Sequence, residues 1–289
     1  MTDLKPYILL LRPHQYVKNI FVFAPFLFTF EYSTEAFYHS VTAFILFCMV
    51  VSGIYVFNDF MDIEEDKQHP VKKNRPLASG AINKRIAGIL ILVPAGCSLL
   101  ISFTINSSLF AVLLTYVILN IAYSIKLKHI VLVDIFIISA GFVLRVFAGA
   151  AAIDVIPSAW IIIMTFLLAL FLAIAKRRDD ILLASQGLET RKNIDGYNLE
   201  LVNASMVVMA AVIIVSYILY TVSPEVTARM HSRHLYLTAV FVILGIMRYM
   251  QLTFVEEKSG SPTRVVLTDR FIQLTLSAWL MSFLAVAFL

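Results

Sequence analysis

Residues 58–80 read NDFMDIEEDKQHPVKKNRPLASG, and this polar stretch follows directly on a long apolar run that ends at Phe57. Asp59, Asp62 and Asp66 are spaced i, i+3 and i+7, so a helix through them would carry their carboxylates on one stripe. Like charges on one stripe repel each other unless a cation lies between them. Oxygen ligands at this spacing suit Mg²⁺ that also holds a substrate phosphate.

A block of basic residues, Lys72, Lys73 and Arg75, follows the acidic residues in the same stretch. Carboxylates that hold a metal and cations that hold phosphate are the combination that a diphosphate site needs. The stretch therefore predicts a Mg²⁺-dependent phosphate site. A solvated loop of mixed charge is the other interpretation.

The composition indicates a membrane protein. The chain has 289 residues, of which 60% are hydrophobic and 15% charged, and its mean hydropathy is +0.85. A soluble domain carries about a quarter of its residues as charges. The apolar runs are near the length that crosses ~30 Å of hydrocarbon. We expect an all-α polytopic protein in which residues 1–289 form one integral membrane domain.

Nine apolar segments predict nine transmembrane helices. They are Val17–Phe30, Ala36–Phe57, Ile86–Ile105, Ser108–Ile125, Val131–Ala152, Ser158–Ala175, Leu201–Val222, Leu235–Phe254 and Phe271–Leu289. The first is short and contains Pro25, and the third contains Pro94, which is tolerated in a span if neighbouring helices satisfy the freed carbonyl.

The connections between the segments alternate between long and short, and the charges are distributed unevenly between the two sets. Of the 23 Lys and Arg residues, only Arg229 and Arg233 lie in the short connections, and Arg145 lies within a span. The excess of basic residues in the long set predicts a cytoplasmic N-terminus. We expect a multi-pass protein of the cell (inner or plasma) membrane with a cytoplasmic active-site chamber. The basic residues are spread over these connections, so they do not indicate a nucleic-acid partner.

Segment five contains Asp134 and Arg145 in otherwise apolar sequence. Ionisable residues inside a span are costly and usually face the bundle interior or a wet cavity. Their spacing is close to three helical turns, so both project from one face. We expect Arg145 to face the site. The other interpretation is that each residue pairs with a charge on another helix.

The sequence contains no P-loop, no dinucleotide-binding glycine fingerprint and no Ser–His–Asp set, so ATP hydrolysis and ordinary acyl transfer are unsupported. Carboxylates, many cations and adjacent lipid suit displacement of pyrophosphate from a carbon atom. A transporter or lipid-binding protein would place polar residues near the midplane and on both faces, whereas the polarity here is one-sided.

The pattern NDxxDxxxD at Asn58–Asp66 and the nine-segment plan resemble the UbiA superfamily of intramembrane prenyltransferases. More narrowly, the chain resembles the branch of decaprenyl-phosphate phosphoribosyltransferases. Further segments carry that resemblance: RPHQYVKN (12–19), DKQHPVKKNRPLASG (66–80), YSIKLKH (123–129), AGFVLRVFAGA (140–150), AKRRDD (175–180), GYN (196–198) and SPTRVVLTDR (261–270).

The resemblance implies Mg²⁺-dependent transfer of 5-phosphoribose from phosphoribosyl pyrophosphate to a polyprenyl phosphate. It implies catalytic roles for Asp59, Asp62 and Arg145 and a metal site at Asp59, Asp62 and Asp66. The substrate-binding residues that it implies are Lys18, Asn58, Lys72, Arg75, Tyr123, Lys126, Lys176 and Arg177. It leaves the oligomeric state open.

One departure from the aromatic prenyltransferases bears on the substrate. Those enzymes resemble one another in a second Asp-rich motif after the sixth helix, where this chain reads AKRRDDI, with three basic residues before Asp179 and Asp180. A donor that carries an additional 5-phosphate needs extra cations, which favours phosphoribosyl transfer. The alternative is a UbiA-type prenyltransferase that moves a polyprenyl group from its diphosphate to an aromatic or other acceptor, with a second metal site near Asp179 and Asp180.

Overall fold

The computed structural model describes residues 4–29, 32–69, 71–186, 194–230 and 232–288, and every regular element within them is helical. The α-helices are α1 (Lys5–Leu11), α2 (Ala24–Thr29), α3 (Thr34–Met61), α4 (Ile63–Gln68), α5 (Lys84–Ile105), α6 (Ser107–Ile125), α7 (Val133–Ala152), α8 (Ala159–Ser185), α9 (Leu199–Val222), α10 (Pro224–Met230), α11 (Ala239–Phe254), α12 (Pro262–Thr268) and α13 (Arg270–Phe288). Stretches of 3₁₀ helix occupy Pro13–Phe23, Lys72–Asn74, Leu127–His129, Ile194–Gly196 and Leu235–Thr238.

In the described residues, eight helices are long and apolar enough to cross a membrane. This confirms the prediction of an all-helical, polytopic membrane fold. The eight correspond to the second to ninth predicted segments. Pro94 lies inside α5, which runs unbroken through it, as expected for a proline within a packed span.

The first predicted segment, Val17–Phe30, ends outside the described residues and is built differently from the other eight. It consists of the 3₁₀ stretch Pro13–Phe23 followed by α2. Its contacts run in order from the carboxyl end of α3 to its amino end: Arg12 with Asp59, Tyr16 with Ser52, Asn19 with Cys48, Phe23 with Phe44, and Phe26 with Phe37. The segment therefore lies antiparallel to α3.

The 3₁₀ geometry increases the length of this short segment. The 3₁₀ stretch has 11 residues and α2 has 6. At about 2.0 Å per residue in a 3₁₀ helix and about 1.5 Å in an α-helix, the two together extend about 30 Å. That length is comparable to the thickness of the hydrocarbon core. The count of nine spans stays a prediction, with this segment as the ninth.

The chain divides into two compact units, residues 1–162 and 163–289. In the first unit α3 is central, because it packs against α5, α6, α7 and the 3₁₀ stretch Pro13–Phe23. Two glycines allow close approach there. A Cβ at Gly53 would lie 2.9 Å from the carbonyl oxygen of Ile91 on α5, and one at Gly149 would overlap the carbonyl oxygen of Val22.

In the second unit α11 packs against α9 and α13. The Tyr217 hydroxyl joins these elements, because it lies 2.7 Å from the Thr238 hydroxyl and accepts a hydrogen bond from Trp279 Nε1 at 2.7 Å. The expectation that residues 1–289 form a single domain stays a prediction.

Two of the spans extend further than their apolar segments. We expected the second segment to end at Phe57 and the sixth at Ala175, whereas α3 continues to Met61 and α8 to Ser185. The charged residues that follow each apolar run therefore lie on helix, so their side chains are positioned by rigid elements.

Candidate active site

The predicted carboxylate stripe is divided between two helices. α3 ends at Met61 and α4 begins at Ile63, with Asp62 between them at φ −95° and ψ 6°. Asp59 and Asp66 are almost completely buried, with 2% and 3% of their surface exposed, whereas the Asp62 side chain is 18% exposed. The three carboxylates therefore do not lie on one continuous helix. Asp59 lies at the end of α3, whereas Asp66 lies on the next helix, α4.

Two arginines connect the buried carboxylates. Arg75 Nη1 donates to Asp59 Oδ1 at 3.0 Å and to Asp66 Oδ2 at 2.7 Å. Arg12 Nη2 donates to the same oxygen of Asp59 at 2.5 Å. Charge-assisted bonds of this kind are among the strongest that proteins form. A single guanidinium thus brings Asp59 and Asp66 together across the helix break.

Asp62 has a separate partner from the connection between α6 and α7. Lys128 Nζ lies 2.5 Å from Asp62 Oδ1, and Asn58 Nδ2 donates to Asp62 Oδ2 at 3.3 Å. The Asn58 Oδ1 atom in turn accepts a hydrogen bond from the Ser124 hydroxyl at 3.3 Å. Asn58 therefore links the end of α3 to the end of α6.

We call the set of Arg12, Asp59, Asp62, Asp66, Arg75 and Lys128 the carboxylate cluster. Its members come from four places in the first unit: the start of the 3₁₀ stretch, the α3–α4 junction, the residues after Lys72–Asn74, and the α6–α7 connection. Three carboxylates face three cations, so the cluster is close to electrically neutral. An anionic ligand with a divalent cation could exchange partners with these ion pairs at little electrostatic cost.

The residues around Arg12 create a positive local field. Arg12 and Lys18 supply positive charge near the start of the segment. On α4, by contrast, the Lys67 ammonium group holds the pKa of the exposed Glu64 carboxyl below its usual value.

The structure sorts the predicted substrate-binding residues into three groups. Asn58 and Arg75 lie in or against the carboxylate cluster. Lys18, Lys72, Tyr123 and Lys126 belong to the same unit, with Lys126 exposed, and their substrate-binding role stays a prediction. Lys176 and Arg177 lie on α8 in the second unit, so their role stays a prediction.

Arg145 is buried, with 4% of its surface exposed. Its guanidinium donates from Nε to Asn19 Oδ1 at 2.8 Å, from Nη1 to the Gly141 carbonyl at 2.7 Å and from Nη2 to the Tyr116 hydroxyl at 3.3 Å. Asp134 on the same helix is fully buried as well. We expected Arg145 to face the site, and its catalytic role stays a prediction.

Sequence reasoning missed three residues of the site. Arg12, Ser124 and Lys128 are not among the site residues that the resemblance implies. The 3₁₀ turn Leu127–His129 decides which lysine reaches Asp62.

In the second unit the basic and acidic residues of α8 contact each other, α9, α11 and the loop before α12. Arg177 pairs with Asp180. Arg178 donates to the Thr253 carbonyl at 2.7 Å and to Asn203 Oδ1 at 3.1 Å. A Cβ at Gly260 would overlap the Asp179 carboxylate, so the loop before α12 lies directly against Asp179.

The chemistry of the carboxylate cluster fits Mg²⁺, which is commonly held by one or two carboxylates together with substrate phosphates. The contacts of Arg12 and Arg75 end on Oδ1 of Asp59 and Oδ2 of Asp66, and the second oxygen of each carboxylate would be the one to bind a metal. Among the described residues, no group of three or more His, Cys, Asp or Glu side chains is arranged to hold a metal ion. The ligand set of Asp59, Asp62 and Asp66 stays a prediction, of which the structure joins Asp59 and Asp66.

A bundle of membrane helices that presents a carboxylate cluster at the end of its central span defines an intramembrane enzyme of the prenyltransferase type. The chain belongs to the UbiA prenyltransferase family, whose model matches residues 20–275. It is therefore a transferase. A UbiA homologue from Archaeoglobus fulgidus bound to DMAPP and Mg²⁺ has the same fold, with a TM-score of 0.71 and 20% identity over 97% of this chain and 98% of that chain.

Curated relatives match nearly the whole chain. The decaprenyl-phosphate phosphoribosyltransferase of Mycolicibacterium smegmatis is 31% identical over 281 residues, which cover 93% of this chain and 88% of the relative. The Mycobacterium tuberculosis protein of the same name is 27% identical over 276 residues, with 93% of this chain and 90% of the relative covered.

Proposed function

We propose that the chain transfers a 5-phosphoribosyl group from phosphoribosyl pyrophosphate to a polyprenyl phosphate of the decaprenyl type and releases pyrophosphate. One observation carries this proposal: Arg75 joins the buried carboxylates of Asp59 and Asp66, and Arg12 and Lys128 add positive charge beside them. Such a set suits a donor with several phosphates. The names of the relatives that match 93% of the chain support the same reaction.

In the proposed reaction the bond between C1 of ribose and the pyrophosphate oxygen breaks, and the electron pair leaves with pyrophosphate. A phosphate oxygen of the lipid forms the new bond to C1 from the opposite face. The acceptor is already an anion at neutral pH, so the reaction needs no general base. In the carboxylate cluster, the carboxylates contact arginine and lysine side chains.

The residues of the carboxylate cluster would have distinct roles. Asp59 and Asp66 would hold Mg²⁺, with Asp62 as the further predicted ligand. Mg²⁺ would stabilise the negative charge that develops on the departing pyrophosphate. Arg12, Arg75 and Lys128 would move from carboxylate to phosphate oxygens, where preorganised cations stabilise the same charge.

We place this site and the N-terminus on the cytoplasmic side of the cell membrane, because the long connections carry nearly all the basic residues. Phosphoribosyl pyrophosphate is a soluble, highly charged donor, so a cytoplasmic site gives it direct access. A cysteine introduced at Lys73, which is exposed, tests the orientation. We expect a membrane-impermeant reagent to label it in inside-out vesicles and not in right-side-out vesicles.

The function is tested with purified protein, Mg²⁺, radiolabelled phosphoribosyl pyrophosphate and a polyprenyl phosphate. We expect label in the lipid extract, and its loss when EDTA removes Mg²⁺. A parallel reaction supplies a polyprenyl diphosphate and an aromatic acceptor. A prenylated aromatic product with no phosphoribosylated lipid would replace this proposal with the prenyl-transfer alternative.

A further inference from the structure

The buried guanidinium of Arg145 is enclosed by aromatic rings. Its central carbon lies 5.0 Å from the centre of the Phe47 ring, 5.2 Å from that of Tyr116 and 5.1 Å from that of Phe142. Rings at this distance attract a cation through their negative faces. In the described part of the chain, no carboxylate forms an ion pair with Arg145. Its charge is therefore stabilised by rings and by hydrogen bonds to neutral groups.

The three hydrogen bonds of Arg145 connect different elements of the first unit. Nη1 bonds within α7, to Gly141, and Nη2 reaches Tyr116 on α6. Nε reaches Asn19, which is completely buried. Asn19 Nδ2 also donates to Cys48 Sγ on α3 at 3.1 Å. Asn19 is thus held between α7 and α3, in the middle of the 3₁₀ stretch.

A 3₁₀ stretch of 11 residues is unusual, because runs longer than three or four residues are uncommon and a long one indicates a hinge or a sequence under strain. Relaxation to an α-helix would shorten each residue's rise by about 0.5 Å, or about 5 Å over the stretch. Arg12 lies at the start of the stretch and donates to Asp59. A shift of that size would remove Arg12 from the carboxylate cluster.

We propose that Arg145 is a positioning residue, which holds the Pro13–Phe23 stretch in its extended 3₁₀ form through Asn19 and thereby keeps Arg12 at Asp59. The proposal depends on the proposed function only for the role of Arg12 in the reaction. It gives Arg145 an indirect role, because its Nε, Nη1 and Nη2 atoms all donate to protein groups and its faces are covered by rings.

The two cysteines of the chain provide a readout that needs no substrate. Cys48 is buried against Asn19, and Cys97 is exposed, so a Cys97→Ser background leaves Cys48 as the one thiol. We expect Arg145→Gln and Arg145→Lys each to accelerate labelling of Cys48 by a membrane-permeant maleimide by about tenfold, the loss that corresponds to one hydrogen bond to a charged group. Lys keeps the charge but lacks the planar fork that reaches three acceptors.

Asn120→Ala is the matched control, because the Asn120 amide donates only within α6, to the Tyr116 carbonyl at 2.8 Å. It removes a similar amide from a span without touching the 3₁₀ stretch, so labelling should stay at the background rate. Unchanged labelling of Cys48 in folded Arg145→Gln protein would overturn the proposal.

A double-mutant cycle with Asn19→Ala connects position to activity. If Arg145 acts through Asn19, the transfer activity of the double variant Arg145→Gln/Asn19→Ala should equal that of the less active single variant. Multiplied losses would mean that Arg145 contacts substrate directly, and would overturn the proposal. If the unaltered protein makes no phosphoribosylated lipid, the proposed function fails, while the labelling experiment still decides whether Arg145 holds the stretch.

Discussion

The carboxylate cluster of the first unit and the charged residues of α8 in the second unit contain the same residue types, but they are connected differently. In the cluster, Arg12 and Lys128 reach carboxylates that are 47 and 66 residues away in sequence. On α8, Arg177 pairs with Asp180 one helical turn further on. The first arrangement depends on the whole fold of its unit. The second forms within one helix, as i, i+3 pairs do.

This difference favours the carboxylate cluster as the functional site and the Arg177–Asp180 contact as a structural ion pair. Asp59 and Asp66 share Arg75, although cations and carboxylates could each have been paired locally at lower cost. Buried charges that share partners across several elements are expensive, and such arrangements cluster at functional sites. The Arg177–Asp180 pair forms between neighbouring turns of one helix, and the substrate-binding role of Arg177 stays a prediction.

The largest expected effect follows from replacing Asp59, which pairs with two arginines in the carboxylate cluster. Asp59→Asn keeps the shape of the side chain and removes the charge that faces Arg12 and Arg75. We expect the phosphoribosyl transfer rate to fall by about 10²-fold or more, as when one preorganised group is lost from a charged site. Glu64→Gln is the control, since Glu64 lies in the same stretch but is exposed and pairs only with Lys67. Equal activity in both variants would refute the role of the cluster.

Replacing Asp180 tests whether the second unit's pair is structural. Asp180→Asn removes the carboxylate that contacts the fully buried Arg177, and breaking such a pair costs about 3 kcal/mol of unfolding free energy. Thermal unfolding in detergent measures this loss. Glu257→Gln is the matched control, because Glu257 lies 3.8 Å from Arg178 and is 55% exposed. A stable Asp180→Asn protein that cannot transfer phosphoribose would instead assign Asp180 to the reaction.

Lys126 and Lys128, both in the α6–α7 connection, provide a matched pair of variants within the first unit. Lys128 contacts Asp62, whereas Lys126 is exposed. We expect Lys128→Met to lower the transfer rate by about tenfold, which corresponds to one hydrogen bond to a charged group. Lys126→Met should cause a smaller loss. Steady-state rates at saturating and limiting donor distinguish effects on binding from effects on turnover. A larger loss in Lys126→Met than in Lys128→Met would favour Lys126, the residue that the resemblance implies.

The sequence predicted the spans because hydropathy depends on local composition, and eight of the nine segments correspond to long apolar helices. It could not indicate the 3₁₀ geometry of Pro13–Phe23, since that geometry depends on contacts with α3 and α7. The NDxxDxxxD pattern indicated Asp59, Asp62 and Asp66. Their partners Arg12 and Lys128 could not be identified, because only the packing of the elements brings them there.

The smallest effect concerns Asp269 in the second unit, which forms an ion pair with Arg248 of α11 that should matter little for activity. Asp269 Oδ2 accepts a hydrogen bond from Arg248 Nη2 at 2.7 Å, and Oδ1 accepts the backbone N–H of Ile272 at 2.9 Å. The bond from Arg248 lowers the pKa of Asp269 below that of the unfolded chain. The pair therefore stabilises the fold above about pH 4, and this contribution is lost as the pH falls through the lowered pKa.

Two substitutions divide this contribution between charge and helix capping. Asp269→Asn removes the charge but keeps an oxygen that can cap α13, so at neutral pH it should cost about 1 kcal/mol, because the pair is only partly buried and solvent screens it. Asp269→Ala also removes the cap, which adds about 1 kcal/mol at every pH. The difference in unfolding temperature between Asp269→Asn and the unaltered protein should shrink as the pH is lowered, whereas part of the Asp269→Ala difference should persist. A constant difference for Asp269→Asn would show that the charge of Asp269 does not stabilise the second unit.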